Sequence, residues 1–447
     1  MHPTANHPAP REKCVPRRKI LSQLGAITVL CGCDGGPAAR ASVAAMPNFR
    51  SLRDLAAWRA DMAPRMPEMA AEPAQLGGDP LAPLRRGLAA LQQGGRRPVS
   101  IIQFGDSHTA SPALIPRLRE LFQARYGAVG PGLMPPGSGP RYSRPALVQT
   151  EQQGQWTGTT ALRAGNPGPF GMSAYRLRGE GAGSRLVLRS TEADGFDSFR
   201  LDVLVQPGAG SFRLRVDGEV GPNMPTRAGT PARVPLIYEP PRRHHEAVLE
   251  LLGDGPVEFL GWGIERRGPG VLVEGFGING ATLDMMANMD EAMLRANLSE
   301  RQPALIILAF GTNEAVSDRL TEDEYARQLT ERVRALKRMA PQAGMLVMGA
   351  PDAARRARGG GCGGWALLPG LDEVRAAQRR VARTEGLGFF DWAALTPGAC
   401  GLHEATQRAP KLVADDHIHL TNEGYRLTAE RLFAQIMAGQ PSRTPAA

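Results

Sequence analysis

Aromatic residues make up only 5% of this sequence, cysteines number five, and no basic run is interleaved with aromatics. Without aromatic platforms set among basic residues, nucleic-acid binding is excluded even though the net charge is +9. The arginines carrying that charge are scattered among acids, as on a solvated surface, and attraction to an anionic polymer fits the same charge. With 42% hydrophobic and 22% charged residues the remainder is an ordinary globular mixture. A chain of 447 residues has room for a leader, a core domain of about 200 to 250 residues and something extra.

The apolar stretch from Ile20 to Leu30 is too short for a stable membrane span, and it follows Pro16-Arg17-Arg18-Lys19. That is signal-peptide grammar. Arg17-Arg18 ahead of Ile20-Leu21 fits the twin-arginine route, and general secretion fits as well. Leu30-Cys31-Gly32-Cys33 reads as a lipoprotein box that would leave Cys33 lipidated at a new N-terminus, whereas Ala39-Arg40-Ala41 offers ordinary cleavage. Either way the mature protein is expected to be exported to the periplasm, with a lipid anchor as its one link to the membrane. Cys14, Cys31 and Cys33 belong to the leader, and the remaining pair, Cys362 and Cys400, is expected to form a disulfide.

The pattern along the chain divides it into a leader (1–45), an N-terminal helical segment packed on the core (46–97), a first part of an α/β core (98–140), an inserted antiparallel β-sandwich (141–268) and a second part of the core (269–440). The insert is read from period-two segments such as Phe199 to Val205, Ser211 to Val216 and Ala247 to Leu252, separated by turns such as Asp217-Gly218. The core is read from apolar runs at 99–104, 271–276, 304–310, 345–349 and 387–391, which alternate with helices. One helix, Leu114 to Tyr126, closes a strand, turn, helix unit; another, Thr321 to Met339, opens with a capping box between Thr321 and Glu324. Alternating βα units imply a three-layer sandwich with a mostly parallel sheet and sites at the carboxyl ends of its strands.

Four stretches fall at such ends: Gly105-Asp106-Ser107, Gly277-Ile278-Asn279-Gly280-Ala281-Thr282, Gly311-Thr312-Asn313-Glu314, and Asp416-His417-Ile418-His419. A serine needs a base, a group that orients the base, and donors for an oxyanion. The Asp-x-x-His spacing lets Asp416 and His419 project from one tight turn. A metal reading of Asp415, Asp416, His417 and His419 lacks a third histidine in a comparable context, so no metal and no cofactor are expected. His108 is read as packing or hydrogen-bonding beside Ser107, and His244, His245 and His403 as surface or structural.

In this order the four stretches resemble the blocks of the SGNH or GDSL hydrolases. The resemblance implies a flavodoxin-like α/β/α core with Ser107 as nucleophile, His419 as base and Asp416 as its partner. It also implies an oxyanion hole made by the Ser107 and Gly280 N–H groups and the Asn313 amide. Glu314 departs from the aspartate usual after the asparagine, which leaves Asn313 itself unaffected.

Gly105-Asp106-Ser107-His108-Thr109-Ala110, the insert and the Asp416-His417-Ile418-His419-Leu420-Thr421 run most resemble bacterial peptidoglycan O-acetylesterases with a carbohydrate-binding-type insert. That implies removal of O-acetyl groups from muramoyl residues of peptidoglycan through an acetyl-serine on Ser107; separately, the protein is expected to be a monomer. A general carbohydrate or lipid esterase, or a polysaccharide acetyltransferase, would use the same triad. Trp156, Tyr175, Tyr238 and Trp262 would either stack on sugar rings or fill the insert's core.

Overall fold

The computed structural model describes residues 48–61, 78–140, 145–359 and 361–438. The leader with Cys33 and its cleavage sites lies outside them.

The five apolar core runs form one parallel sheet. Its strands are Val99–Gly105, Val271–Gly277, Leu305–Ala309, Gly344–Met348 and Gly388–Phe390. Numbered along the chain they lie in the order 2-1-3-4-5, the flavodoxin-like arrangement. Successive side chains leave opposite faces, so one strand feeds two cores. Leu305 and Ile307 join one apolar cluster with the helices Ala82–Gln92, Leu114–Tyr126 and Asn422–Met437. Ile306 and Leu308 join another with Glu322–Met339 and Leu371–Thr384. Helices on both faces make the three layers expected.

Glu322–Met339 has the capping box that the sequence calls for: the Thr321 hydroxyl accepts from Glu324 N–H at 3.2 Å and the Glu324 carboxylate accepts from Thr321 N–H at 3.1 Å. Its Leu329, Val333 and Leu336 are buried, as their spacing requires.

The region expected as an antiparallel sandwich is one continuous mixed sheet of ten strands. Most pairs are antiparallel, but Asn48–Phe49 joins Ala232–Tyr238 in parallel. The stretch from 48, expected as helix or linker, is therefore a short strand and a 3-10 turn at Asp54–Ala57, whose Phe49, Leu52, Leu55 and Trp58 enter the apolar cluster of this sheet. Phe212 and Phe259 lie on strands separated by two others, yet their rings meet edge-on at 5.3 Å. Strand spacing of about 4.8 Å would hold them well apart in a flat sheet, so the sheet folds over its own apolar face. Tyr175, Tyr238 and Trp262 are buried in that core and Trp156 packs against it.

A charged seam joins this sheet to the core helix Glu291–Arg301. Asp202 accepts from Arg233 at 2.7 Å and from Asn297 at 2.8 Å, and Arg233 also reaches Glu300 at 2.8 Å. Beside it Arg301 pairs with Glu265 at 2.5 Å and with the fully buried Glu274 at 2.9 Å. Glu274 also accepts from Leu133 N–H, on the strand Gly132–Met134 that pairs with Val257–Glu265. The segment 161–174 drives Ala161, Phe170, Met172 and Ala174 into the core cluster that holds Ile278, Ala281 and Leu283.

Candidate active site

The first strand ends at Gly105, in register with Gly277 on its neighbour. A Cβ at Gly105 would run into Thr109 and the Ala309 carbonyl, and one at Gly277 into Ala110 and the Asp106 carbonyl. Glycine at both positions lets the chain turn tightly where the strands end. In that turn Ala110 N–H returns to the Asp106 carbonyl at 3.0 Å and His108 N–H to the Asp106 carboxylate at 2.9 Å. Ser107 is left half-buried at the carboxyl edge of the sheet.

Opposite it, the chain between Val413 and Leu420 forms a turn closed by Ala414 N–H on the His419 carbonyl at 2.8 Å. The Asp416 carboxylate accepts from the N–H groups of Ile418 (3.0 Å) and His419 (2.9 Å), and its second oxygen lies 2.7 Å from His419 Nδ1. His419 Nε2 lies 2.9 Å from Ser107 Oγ. With Nδ1–H donating to the carboxylate, Nε2 is the acceptor and the serine hydroxyl the donor.

Burial alone would raise the Asp416 carboxyl, but the bonds from His419 and the two backbone N–H groups outweigh it and hold it well below the usual carboxylate range. The bond to Asp416 raises His419 above its ordinary 6.5 against the opposing effect of burial, with the charges of Asp416 and Asp106 adding to the rise.

Gly280 sits at φ +81° on an exposed turn, in the left-handed region that glycine favours. The loop is held by Ile278 N–H on the Gly105 carbonyl at 3.2 Å and by the Asn313 amide on the Ala281 carbonyl at 2.9 Å. Among the described residues neither Ser107 N–H nor Gly280 N–H donates to a protein acceptor. The asparagine amide has a second N–H beyond the one given to Ala281. The sequence-derived residues Ser107, Gly280, Asn313, Asp416 and His419 thus come from four separate stretches to one end of the sheet. Such a set can take a proton from a serine hydroxyl and receive negative charge on a carbonyl oxygen.

Three further groups surround them: half-buried Glu314 and buried Asp106, to which sequence reasoning gave no part in the site, and buried His108, which it read as packing or hydrogen-bonding beside Ser107. Glu314 accepts from Leu283 N–H and from Gly311 N–H, each at 3.0 Å, so one carboxyl ties the Gly280 loop to the Asn313 loop; burial pushes it up to about 8. Asp106 is 1% exposed, and burial pushes its carboxyl up to about 7 against the pull of His108 N–H and the His419 charge. His108 bonds Tyr425 OH through Nδ1 at 3.0 Å, and burial aided by the His419 charge pushes it down to about 3. Its ring packs beside His419, as the sequence suggested, and stays neutral. The only sequence sign of Glu314's place was its adjacency to Asn313.

Cys362 and Cys400 are joined in a disulfide. Among the described residues no three histidines, cysteines or carboxylates are grouped as a metal ion would need. His417 instead bonds His403, with His403 Nδ1 and His417 Nε2 3.0 Å apart.

Residues 251–427 match the GDSL-like lipase/acylhydrolase family, a span that contains Gly280, Asn313, Asp416 and His419 and leaves Ser107 outside. Among solved structures a peptidoglycan O-acetylesterase is similar at 26% identity, over 80% of this chain and 96% of that one, with a TM-score of 0.67. A family two carbohydrate esterase from Clostridium thermocellum, in complex with cellohexaose, is 16% identical over 58% of this chain and 94% of its own, with a TM-score of 0.27. An acetyl xylan esterase is 13% identical over 37% of this chain and 81% of its own, with a TM-score of 0.28. No match was found among the curated proteins.

Proposed function

We propose that this chain, similar to the GDSL-like acylhydrolases and to a peptidoglycan O-acetylesterase, hydrolyses carboxylic esters and removes O-acetyl groups from an extracytoplasmic polysaccharide, peptidoglycan before others, through an acetyl-serine on Ser107. The observation that carries the reading is the continuous line from Asp416 to His419 Nδ1 (2.7 Å) and from His419 Nε2 to Ser107 Oγ (2.9 Å).

In the proposed reaction Ser107 Oγ attacks the acetyl carbonyl carbon as its proton passes to His419 Nε2. Asp416 holds the ring and balances the imidazolium charge. The carbonyl oxygen, now an oxyanion, receives the N–H groups of Ser107 and Gly280 and the free N–H of Asn313. Collapse breaks the bond to the sugar oxygen, which leaves with the proton from His419. Water then gives its proton to the same nitrogen and attacks the acetyl-serine, releasing acetate and restoring Ser107.

The polymer is supported by the likeness to a peptidoglycan O-acetylesterase over most of both chains. It agrees with the leader reading, in which the protein is exported and either freed or anchored through Cys33. In this scheme 98–140 and 269–440 make the hydrolase core and 141–268 an insert. The test is acetate release from O-acetylated peptidoglycan, acetylated xylan and a short-chain aryl ester, by wild type and Ser107→Ala. Serine-dependent release from peptidoglycan ahead of the others is expected; release from the aryl ester alone would discard the polymer.

A further inference from the structure

His417 lies between Asp416 and His419 and is 4% exposed, at φ +57°. A non-glycine residue in the left-handed region is strained unless its surroundings hold it there. They hold it on several sides. The Trp365 ring stacks on its face at 3.6 Å and 14°, and the His403 ring meets its edge nearly in plane, the centroids 5.3 Å apart and the planes 16° from parallel. Its carbonyl accepts from Ala354 N–H at 2.8 Å and its Nδ1 lies 3.0 Å from the Asp415 carbonyl. A carbonyl can only accept, so His417 Nδ1 carries the proton, Nε2 is an acceptor, and His403 Nδ1–H donates to it. The Arg356 guanidinium covers Trp365 at 4.4 Å from the ring centre.

Trp365 belongs to the hairpin of Ala354–Arg356 and Trp365–Leu367, and His403 to the helix Gly398–Gln407. The disulfide joins the same two units, since Cys362 lies in the loop of that hairpin and Cys400 in the first turn of that helix.

We propose that His417 is a positioning residue: held on its face by Trp365 and at its edge by His403, in a clamp closed by the Cys362–Cys400 bond, it fixes the turn that aims Asp416 and His419 at Ser107. The inference rests on the reading of those three residues as the triad. It gives the hairpin, the helix and the disulfide one shared task beside the reacting atoms. In this role the clamp acts on the reaction through the His419 ring.

The experiment compares Trp365→Ala, Trp365→Phe and His403→Phe with wild type in aryl-acetate hydrolysis over a range of pH, with circular dichroism to establish folding. Trp365→Ala is expected to lower kcat by on the order of 10- to 100-fold at little change in KM, as a displaced catalytic ring does. The acid limb of its pH profile should move to lower pH, because a loosened Asp416 bond no longer raises His419. Trp365→Phe restores a flat ring and should recover most of kcat and the profile. His403→Phe keeps the ring and removes the donor, so it reads the clamp from its other side if Trp365→Ala does not fold, and should likewise lower kcat and shift the limb. Folded variants with wild-type kcat and an unmoved acid limb would overturn the clamp while Ser107→Ala remains inactive. An active Ser107→Ala would instead remove the triad reading beneath it.

Discussion

The Glu314 carboxyl accepts from Leu283 N–H at 3.0 Å, which places an acid side chain from one oxyanion loop at the base of the other. Its second oxygen takes Gly311 N–H at the same distance, so Glu314 ties the Gly280 loop to the Asn313 loop beside the bond from the Asn313 amide to the Ala281 carbonyl. In Glu314→Gln the amide nitrogen cannot accept, and one of the two N–H groups loses its partner. A fall in kcat of about tenfold is expected with KM nearly constant, milder than the loss of a donor itself. Steady-state kinetics on an aryl acetate checks it.

Asn313→Ala removes an oxyanion donor and also the tie to the Ala281 carbonyl. It should cost about 100- to 1,000-fold in kcat. A variant that keeps its kcat would show that the amide does not face the developing charge.

The pH dependence follows from signs. His419 must be neutral to accept the serine proton, and its pKa is raised above 6.5, chiefly by the bond to Asp416. Activity should therefore fall as pH drops through a midpoint above 6.5, the raised side of the ordinary histidine value. Asp106 adds to this, because its negative charge favours the imidazolium. Asp106→Asn removes that charge, so the acid limb of kcat/KM should shift to lower pH. An unmoved or upward-shifted limb would contradict the coupling.

Asp106 also links pH to stability. Its folded-state carboxyl is raised from 3.8 to about 7, so the stability it contributes is fully present below 3.8 and is lost as pH rises through about 7. Above that range Asp106→Asn should melt at a higher temperature than wild type, and thermal scans at pH values on either side of 7 would test it.

The seam between the sheets gives a stability prediction. Arg233 and Asp202 are both buried, with side chains 3% and 5% exposed. Arg233→Ala leaves Asp202 without its cation and should destabilise the protein by about 3–5 kcal/mol. Denaturant unfolding reads this directly.

The legible parts of the fold are those where one local signal decides. Thr321 and Glu324 announce a helix start, and the five apolar runs announce buried parallel strands. Val148–Thr160 went unseen because its glutamines and threonines lie mostly exposed, without an apolar alternation. Ala232–Tyr238 carries Pro235, which argues against a strand by local rules, yet it pairs along its whole length with Ser198–Val205. Ser107, Gly280, Asn313, Asp416 and His419 could be named from four short blocks. Glu314, Asp106 and the ring clamp on His417 could not, since burial and stacking arise only from contacts distant in the chain.

The most direct test of the central claim is the fate of the acyl group. Wild type is mixed with an aryl acetate, quenched within a turnover and digested, and the peptides are analysed by mass spectrometry alongside the rate of acetate release by Ser107→Ala. The account predicts acetyl on Ser107 in wild type, and a loss of release by a factor on the order of 10,000 or more in the folded mutant. Acetate release by folded Ser107→Ala at the wild-type rate, with no acetyl on the Ser107 peptide, would contradict it.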